Sequence, residues 1–171
     1  MKTIAVLIWL KVIVMILAVL VVLYLLMIMP RLTNRRERKK FLNVYYAHRG
    51  LHDNETDAPE NSMSAFRRAV EAGYGIELDV QVTKDKIPVV FHDFTLQRVC
   101  GQEGKVCDYT YEELQKFRLC KSSETIPLFE DVLKLVAGKV PLIVELKVEF
   151  TDLSVCKKAD ALLRKYKGLK I

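Results

Sequence analysis

The chain has 171 residues, of which 51% are hydrophobic, with 27 Lys and Arg against 21 Asp and Glu. That length holds one modest domain plus a short extra segment. Residues 1–40 alone carry +7 of a total +6, so residues 41–171 sum to −1, which excludes a nucleic-acid reading based on net charge.

The extra segment comes first. Ile4 to Met29 is apolar apart from Lys11, and the uncharged run Val12 to Met29 would span about 27 Å as a helix, close to the hydrocarbon thickness of a bilayer. A cleaved signal peptide would have a shorter apolar core and a small-residue cleavage site, whereas Met29-Pro30-Arg31 follows here. A buried helix of a soluble core would show a polar stripe, and this stretch has none. Residues 1–30 are therefore read as an uncleaved transmembrane anchor, and residues 31–42 as a basic juxtamembrane linker. Arg31, Arg35, Arg36, Arg38, Lys39 and Lys40 follow the apolar run, against Lys2 and Lys11 before or within it. The positive-inside rule then makes this a single-pass protein of the cell membrane with residues 43–171 on the cytoplasmic side, and the basic patch suits anionic headgroups of the bilayer. Cys100, Cys107, Cys120 and Cys156 form no C-x-x-C pair and have no His at zinc spacing. A cytoplasmic domain keeps them reduced, while the opposite orientation would let Cys100 and Cys107 bridge a loop.

After the linker, Val44-Tyr45-Tyr46-Ala47 reads as a short strand ending at His48-Arg49-Gly50. A turn-rich loop runs from Leu51 to Pro59. Asn61 and Ser62 can cap a helix with apolar positions Met63, Phe66, Ala69 and Val70, and Gly73 suits the position past its end. Gly75 to Val80 is a second strand, followed by the polar turn Thr83-Lys84-Asp85-Lys86. Ile87-Pro88-Val89-Val90-Phe91 is a third strand, ending at His92-Asp93. Thr110 and Glu113 make a capping box for a helical start. A helix from Leu128 to Val136, stopped by Gly138, leads to a fourth strand, Pro141 to Leu146. Asp152 to Lys167 is helical, and a fifth strand begins at Leu169-Lys170-Ile171. Strands alternating with helices predict an α/β fold with a parallel sheet and right-handed crossovers.

The second strand carries the chemistry. Ile76, Leu78 and Val80 alternate with Glu77 and Asp79, so the two carboxylates share one face. Two carboxylates beside a buried sheet repel unless a positive group sits between them, and a hard divalent cation suits their oxygens. His48, Glu77 with Asp79, His92, and Glu145 with Lys147 all lie at or near strand carboxyl ends. In an α/β barrel that is the catalytic rim.

The ordered set His48-Arg49-Gly50, Pro59-Glu60-Asn61-Ser62, Glu77-Leu78-Asp79-Val80, Thr83-Lys84-Asp85, His92-Asp93, Ile126-Pro127-Leu128 and Glu145-Leu146-Lys147 resembles the glycerophosphodiester phosphodiesterase family over residues 44 to 150. The resemblance implies a TIM (β/α)8 barrel, His48 and His92 as the catalytic pair, and Glu77, Asp79 and Glu145 as ligands of one Ca²⁺ or Mg²⁺. It also implies Arg49 and Lys147 at the substrate phosphate. The implied reaction is hydrolysis of a glycerophosphodiester, or a lysophospholipid-like lipid, to an alcohol and glycerol phosphate. Glu60 is read as a helix-start charge and His52 as a surface histidine, neither as a ligand. A barrel typically needs eight units and ~250 residues. Residues 43–171 are therefore expected to hold its amino-terminal half, about four βα units. The chain is read as a fragment of a longer protein, in preference to a half-barrel that pairs with a separate half or an inactive truncation. Two other functions stay open: a barrel phospholipase acting on intact membrane phospholipid, and a non-catalytic membrane-bound binding module.

Overall fold

The computed structural model describes residues 2–29, 36, 39–149 and 152–171. Most of the expected basic linker lies outside the described residues. The chain forms two compact units, residues 1–40 and residues 41–171.

The first unit contains helix α1, Lys2–Ile28, and its large apolar side chains from Val6 to Met29 are almost all exposed. Within it, Val6–Ile28 is long and apolar enough to cross a membrane, by length and composition.

The second unit contains β1 (Tyr46–His48), α2 (Met63–Glu71), β2 (Gly75–Val82), β3 (Pro88–Val90), α3 (Gln97–Cys100), a 3₁₀ turn at Val106–Asp108, α4 (Tyr111–Leu114), α5 (Phe129–Val136), β4 (Leu142–Leu146) and α6 (Ser154–Leu163). The capping predictions hold. The Ser62 side chain accepts from the Ala65 amide to start α2, and Thr110 with Glu113 forms a capping box on α4. Helix α5 stops at Ala137 and Gly138, both with positive φ. The short α3 was not expected, because four residues carry no helical period.

Strand β2 is the centre of the sheet. It pairs in parallel with β1 through Tyr46–Gly75 and His48–Glu77, and in parallel with β4 through Ile76–Leu142 and Asp79–Glu145. Beyond β4, Lys170 forms a parallel bridge with Leu142, where the expected fifth strand begins. Strand β3 departs from the expected parallel sheet. It runs antiparallel to β2, with Val80 opposite Val90 and Val82 opposite Pro88. The physical reason is length. A parallel crossover needs about a dozen residues, and residues 83–87 permit only a hairpin. The parallel strands with following helices are therefore β1–α2, β2–α5 and β4–α6, three units where four were expected. Backbone bonding puts β1 and β3 on one edge of β2, through Gly75 N–H to Tyr45 C=O and Phe91 N–H to Asp79 C=O. Strand β4 takes the other edge, through Ile76 N–H to Pro141 C=O and Lys147 N–H to Val80 C=O.

The helices cover one face of this sheet. Ile76, Leu78 and Val80 of β2 are fully buried with Phe66 and Ala69 of α2, Phe129, Val132 and Val136 of α5, and Val155 and Ala159 of α6. A second cluster, with Phe91, Leu96, Val99, Val106, Leu114, Leu119 and Ile126, lies under the long β3–α5 connection. It gives that connection its own apolar anchor, so the segment after β3 is held rather than free. The opposite face of β2 carries Glu77, Asp79 and Gln81, as the strand alternation requires.

Candidate functional site

Strand register alone assembles most of the site. Residues aligned across a parallel pair point to the same face. His48 is aligned with Glu77, and Asp79 with Glu145. One oxygen each from Glu77, Asp79 and Glu145 lies within 4.8 Å of the others, so the three carboxylates can converge on one cation. Their environments differ: Asp79 is 1% exposed, Glu77 is half-buried and Glu145 is exposed. Burial, and then the neighbouring Asp79 charge, push the Glu77 carboxyl above its ordinary value, against a hydrogen bond from the Arg49 amide. Lys147 does the reverse to Glu145, whose pKa it lowers through a 2.6 Å contact.

Lys147 itself lies between carboxylates, its Nζ 2.6 Å from Glu145 Oε1 and 3.1 Å from Asp79 Oδ1. Burial would lower its pKa, but these two partners outweigh burial and raise it. The ammonium is the charged neighbour of Asp79 Oδ1, a buried oxygen that makes no hydrogen bond of regular geometry. The buried Arg49 Nε lacks an acceptor in the same region, 3.7 Å from Asp79 Oδ2. Buried polar atoms are normally satisfied. A free acceptor lone pair beside a free donor suits a cation together with an anionic oxygen, and the three-carboxylate donor set suits a hard divalent ion. The residues present thus fit the cation that the resemblance implies.

Arg49 and Asn61 are both left-handed, with φ of 58° and 56°. The Asn61 amide donates to the Arg49 carbonyl at 2.9 Å, and the Asn61 side chain donates to Asp79 Oδ2 at 3.2 Å. Between them, Gly50 has φ 83°, and a Cβ there would lie 2.9 Å from the Ala65 Cβ. Only glycine fits that close approach to α2. Asn61 was read as a cap candidate. It is instead a support of the buried carboxylate, while Ser62 takes the cap.

Glu60 has a larger part than a helix-start charge. Its buried carboxylate accepts from Arg49 at 2.9 Å, from Asn54 at 3.1 Å and from Arg98 at 2.6 and 2.8 Å. Burial raises its pKa, but hydrogen bonds from Arg98 and Asn54 overcome this and bring it to about 2. Asp93 is also lowered to about 2, chiefly by Arg98. It contacts His92 Nδ1 at 2.6 Å. An ionised carboxylate only accepts, so Nδ1 carries the proton and Nε2 is left for chemistry. Arg98 was not anticipated at all. Asp93 lies only five residues before it, but Glu60 lies 38 residues away, on a loop that no local pattern brings to it.

His92 reaches the site because β3 is antiparallel. The hairpin turns back along β2, so Phe91 pairs with Asp79 and His92 follows next to the carboxylates. The Gln81 side-chain amide then pins the turn by donating to the carbonyls of Phe91, His92 and Asp93. His48 is 68% exposed, with Nε2 3.9 Å from Glu77 Oε2. His52 bonds only backbone, with Nδ1 3.0 Å from the His48 carbonyl. All four cysteines are free thiols.

The lowered Glu60 and Asp93 values set an expectation for acid stability. Carboxylates with pKa values below their unfolded value of about 4 stabilise the fold fully above that pH, and lose the contribution as pH falls through the folded value. The thermal midpoint is therefore expected to drop as pH falls through the range between about 4 and the folded values of about 2. Glu60→Gln should flatten this drop. An equally steep drop in that variant would show that Glu60 is not held ionised.

The sequence profile of the glycerophosphoryl diester phosphodiesterase family matches residues 48–168. A glycerophosphodiester phosphodiesterase of Bacillus altitudinis is 42% identical over 111 residues, covering 61% of this chain and 44% of that protein. A lysophospholipase D of Rattus norvegicus is 34% identical over 161 residues, covering 86% of this chain and 49% of that protein. Among solved structures, an Oleispira antarctica phosphodiesterase in complex with the product sn-glycerol-3-phosphate superposes with TM-score 0.68 at 27% identity, covering 77% of this chain and 56% of that one. The chain spans about half the length of the curated relatives it matches. With the family's profile covering most of its second unit, this chain belongs to the glycerophosphoryl diester phosphodiesterase family.

Proposed function

We propose that this chain carries the catalytic rim of a phosphodiesterase that hydrolyses glycerophosphodiesters to an alcohol and glycerol phosphate. The observation that carries this reading is the convergence of Glu77, Asp79 and Glu145 within 4.8 Å, beside the half-buried Arg49, with His48 near Glu77 and His92 close enough to act on the Glu145 charge. The three carboxylates would hold one Ca²⁺ or Mg²⁺, which when bound neutralises phosphoryl oxygens and favours attack on phosphorus.

The chain's own groups account for the rest. Arg49 presents Nε–H to a phosphate oxygen, a donor the fold leaves without an acceptor. Lys147 can leave Asp79 for the phosphate when a cation takes over the carboxylates, because its stem is flexible and its charge is needed in only one place. His48 and His92 divide the proton work: one takes the proton of the attacking hydroxyl or water, and the other returns one to the leaving alkoxide. Asp93 supports that role by fixing the His92 tautomer.

We read the sheet as the amino-terminal part of a (β/α)8 barrel. The parallel bridge of Lys170 to β4 supports this, since it continues the strand order where further strands, or a partner half-barrel, would add. We further propose that α1 anchors the chain in a membrane as a single span, with residues 43–171 on the cytoplasmic side, supported by its apolar length and the basic cluster that follows. Membrane attachment and the rat lysophospholipase D relative together favour lysophospholipids as a second substrate class. Choline release by the purified full chain from glycerophosphocholine, compared with lysophosphatidylcholine in detergent micelles, tests the choice. Turnover of at least one is expected. Turnover of neither, with Ca²⁺ or Mg²⁺ present, would overturn the enzymatic reading in favour of a binding module.

A further inference from the structure

Glu60 and Asp93 belong to different loops, and each holds one group of the proposed machinery. Glu60 accepts from Arg49, and Asp93 from His92. One guanidinium joins them. Arg98 donates NH1 and NH2 to the two oxygens of Glu60, at 2.8 and 2.6 Å, and Nε and NH2 to the two oxygens of Asp93, at 2.6 and 3.0 Å. It is bidentate to both, through two edges of the planar guanidinium, which Lys cannot reproduce. Arg98 is placed by α3, whose Val99 is buried in the second core cluster. The anchor of the guanidinium is thus apolar packing outside the carboxylate cluster.

Removing Arg98 would affect the two carboxylates unequally. Glu60 keeps donors from Arg49 and Asn54. Among the side-chain bonds described, Asp93 keeps only the one to His92, so its plane and the ring it orients lose their fixed direction. We infer that Arg98 is a positioning residue for the reaction proposed above: it clamps Glu60 and Asp93 together so that the phosphate-facing Arg49 and the proton-carrying His92 keep one mutual geometry. Its described hydrogen bonds all go to those two carboxylates, and it acts through them.

The inference rests on the proposed reaction for its kinetic consequence but not for its structural one, so two readouts separate them. In the ¹⁵N-labelled full chain, the His92 ring nitrogens should report a single Nδ1–H tautomer, and the Arg49 Nε–H should resonate as one resolved signal. Arg98→Gln should convert His92 to a tautomer mixture, move the Arg49 signal and leave the amide signals of β2 and β4 in place. On glycerophosphocholine it should lower kcat by about 10²-fold, the scale of a roughly 1 Å misplacement, with a smaller rise in KM. Arg98→Lys should restore neither.

Crossed single variants keep the test alive if Arg98→Gln does not fold. Glu60→Gln should disturb the His92 ring signals, and Asp93→Asn should disturb Arg49, because each effect must pass through Arg98. Ring and guanidinium signals that stay unchanged in a folded Arg98→Gln, or crossed effects that fail to appear, overturn the clamp. Full recovery by Arg98→Lys overturns it too. If the wild-type chain turns over no diester, the proposed reaction falls, while the nitrogen signals still decide the clamp.

Discussion

Asp79→Ala is expected to abolish measurable binding of Ca²⁺ and Mg²⁺ by calorimetric titration. Asp79 is the most buried of the three carboxylates and the one with an oxygen lacking a donor. It also lies at the centre of the sheet, where its position is set by β1, β3 and β4 together. Loss of a supporting second-layer partner typically weakens metal binding about 10- to 100-fold, so loss of this direct ligand should exceed about 100-fold. The substitution also strips Lys147 and Asn61 of a buried partner. Asp79→Asn is therefore the control for folding: it keeps the shape, removes the charge and should also lose the ion. Glu145→Gln should weaken binding less, because its carboxylate is exposed to solvent, where a water can take its place on the ion. Unchanged titration of both cations into folded Asp79→Ala would remove the metal assignment.

The second large effect concerns the histidines. His48→Gln and His92→Gln should each lower turnover by about 10² to 10⁴, the usual scale for a general acid or base, while metal binding survives on the intact carboxylates. Arg49→Lys should also lower turnover, since an ammonium cannot keep both the Glu60 contact and a donor on the phosphate. His52→Gln serves as the internal control. Its ring bonds only backbone carbonyls, so turnover should stay near the wild-type value. Full activity in both His48→Gln and His92→Gln would make the histidines structural and leave the proton work to bound water.

Much of this site was legible because β-strand alternation is a short-range rule. Ile76, Leu78 and Val80 had to face the helices, so Glu77 and Asp79 had to face away, and they do. Caps at Ser62 and Thr110 were legible for the same reason, since a cap and its acceptor lie within one turn. The antiparallel β3 was also written in the sequence, in the shortness of residues 83–87, but the alternation of strands and helices hid it. Glu60, Asn61 and Arg98 were not legible. Glu60 meets Arg49 at 11 residues' separation, Asn61 meets Asp79 at 18, and Arg98 meets Glu60 at 38, contacts that only the folded loops bring together. Local patterns report the face on which a residue lies, and say nothing of which distant loop it will meet.

Phosphorus NMR of the purified full chain incubated with glycerophosphocholine tests the central claim most directly. With Ca²⁺ or Mg²⁺ present, the diester signal should give way to one glycerol phosphate signal with release of free choline. A chelator should stop the conversion, and excess cation should restore it. Phosphocholine as the product, or conversion that persists under chelation, would contradict a cation held by Glu77, Asp79 and Glu145 as the centre of the reaction.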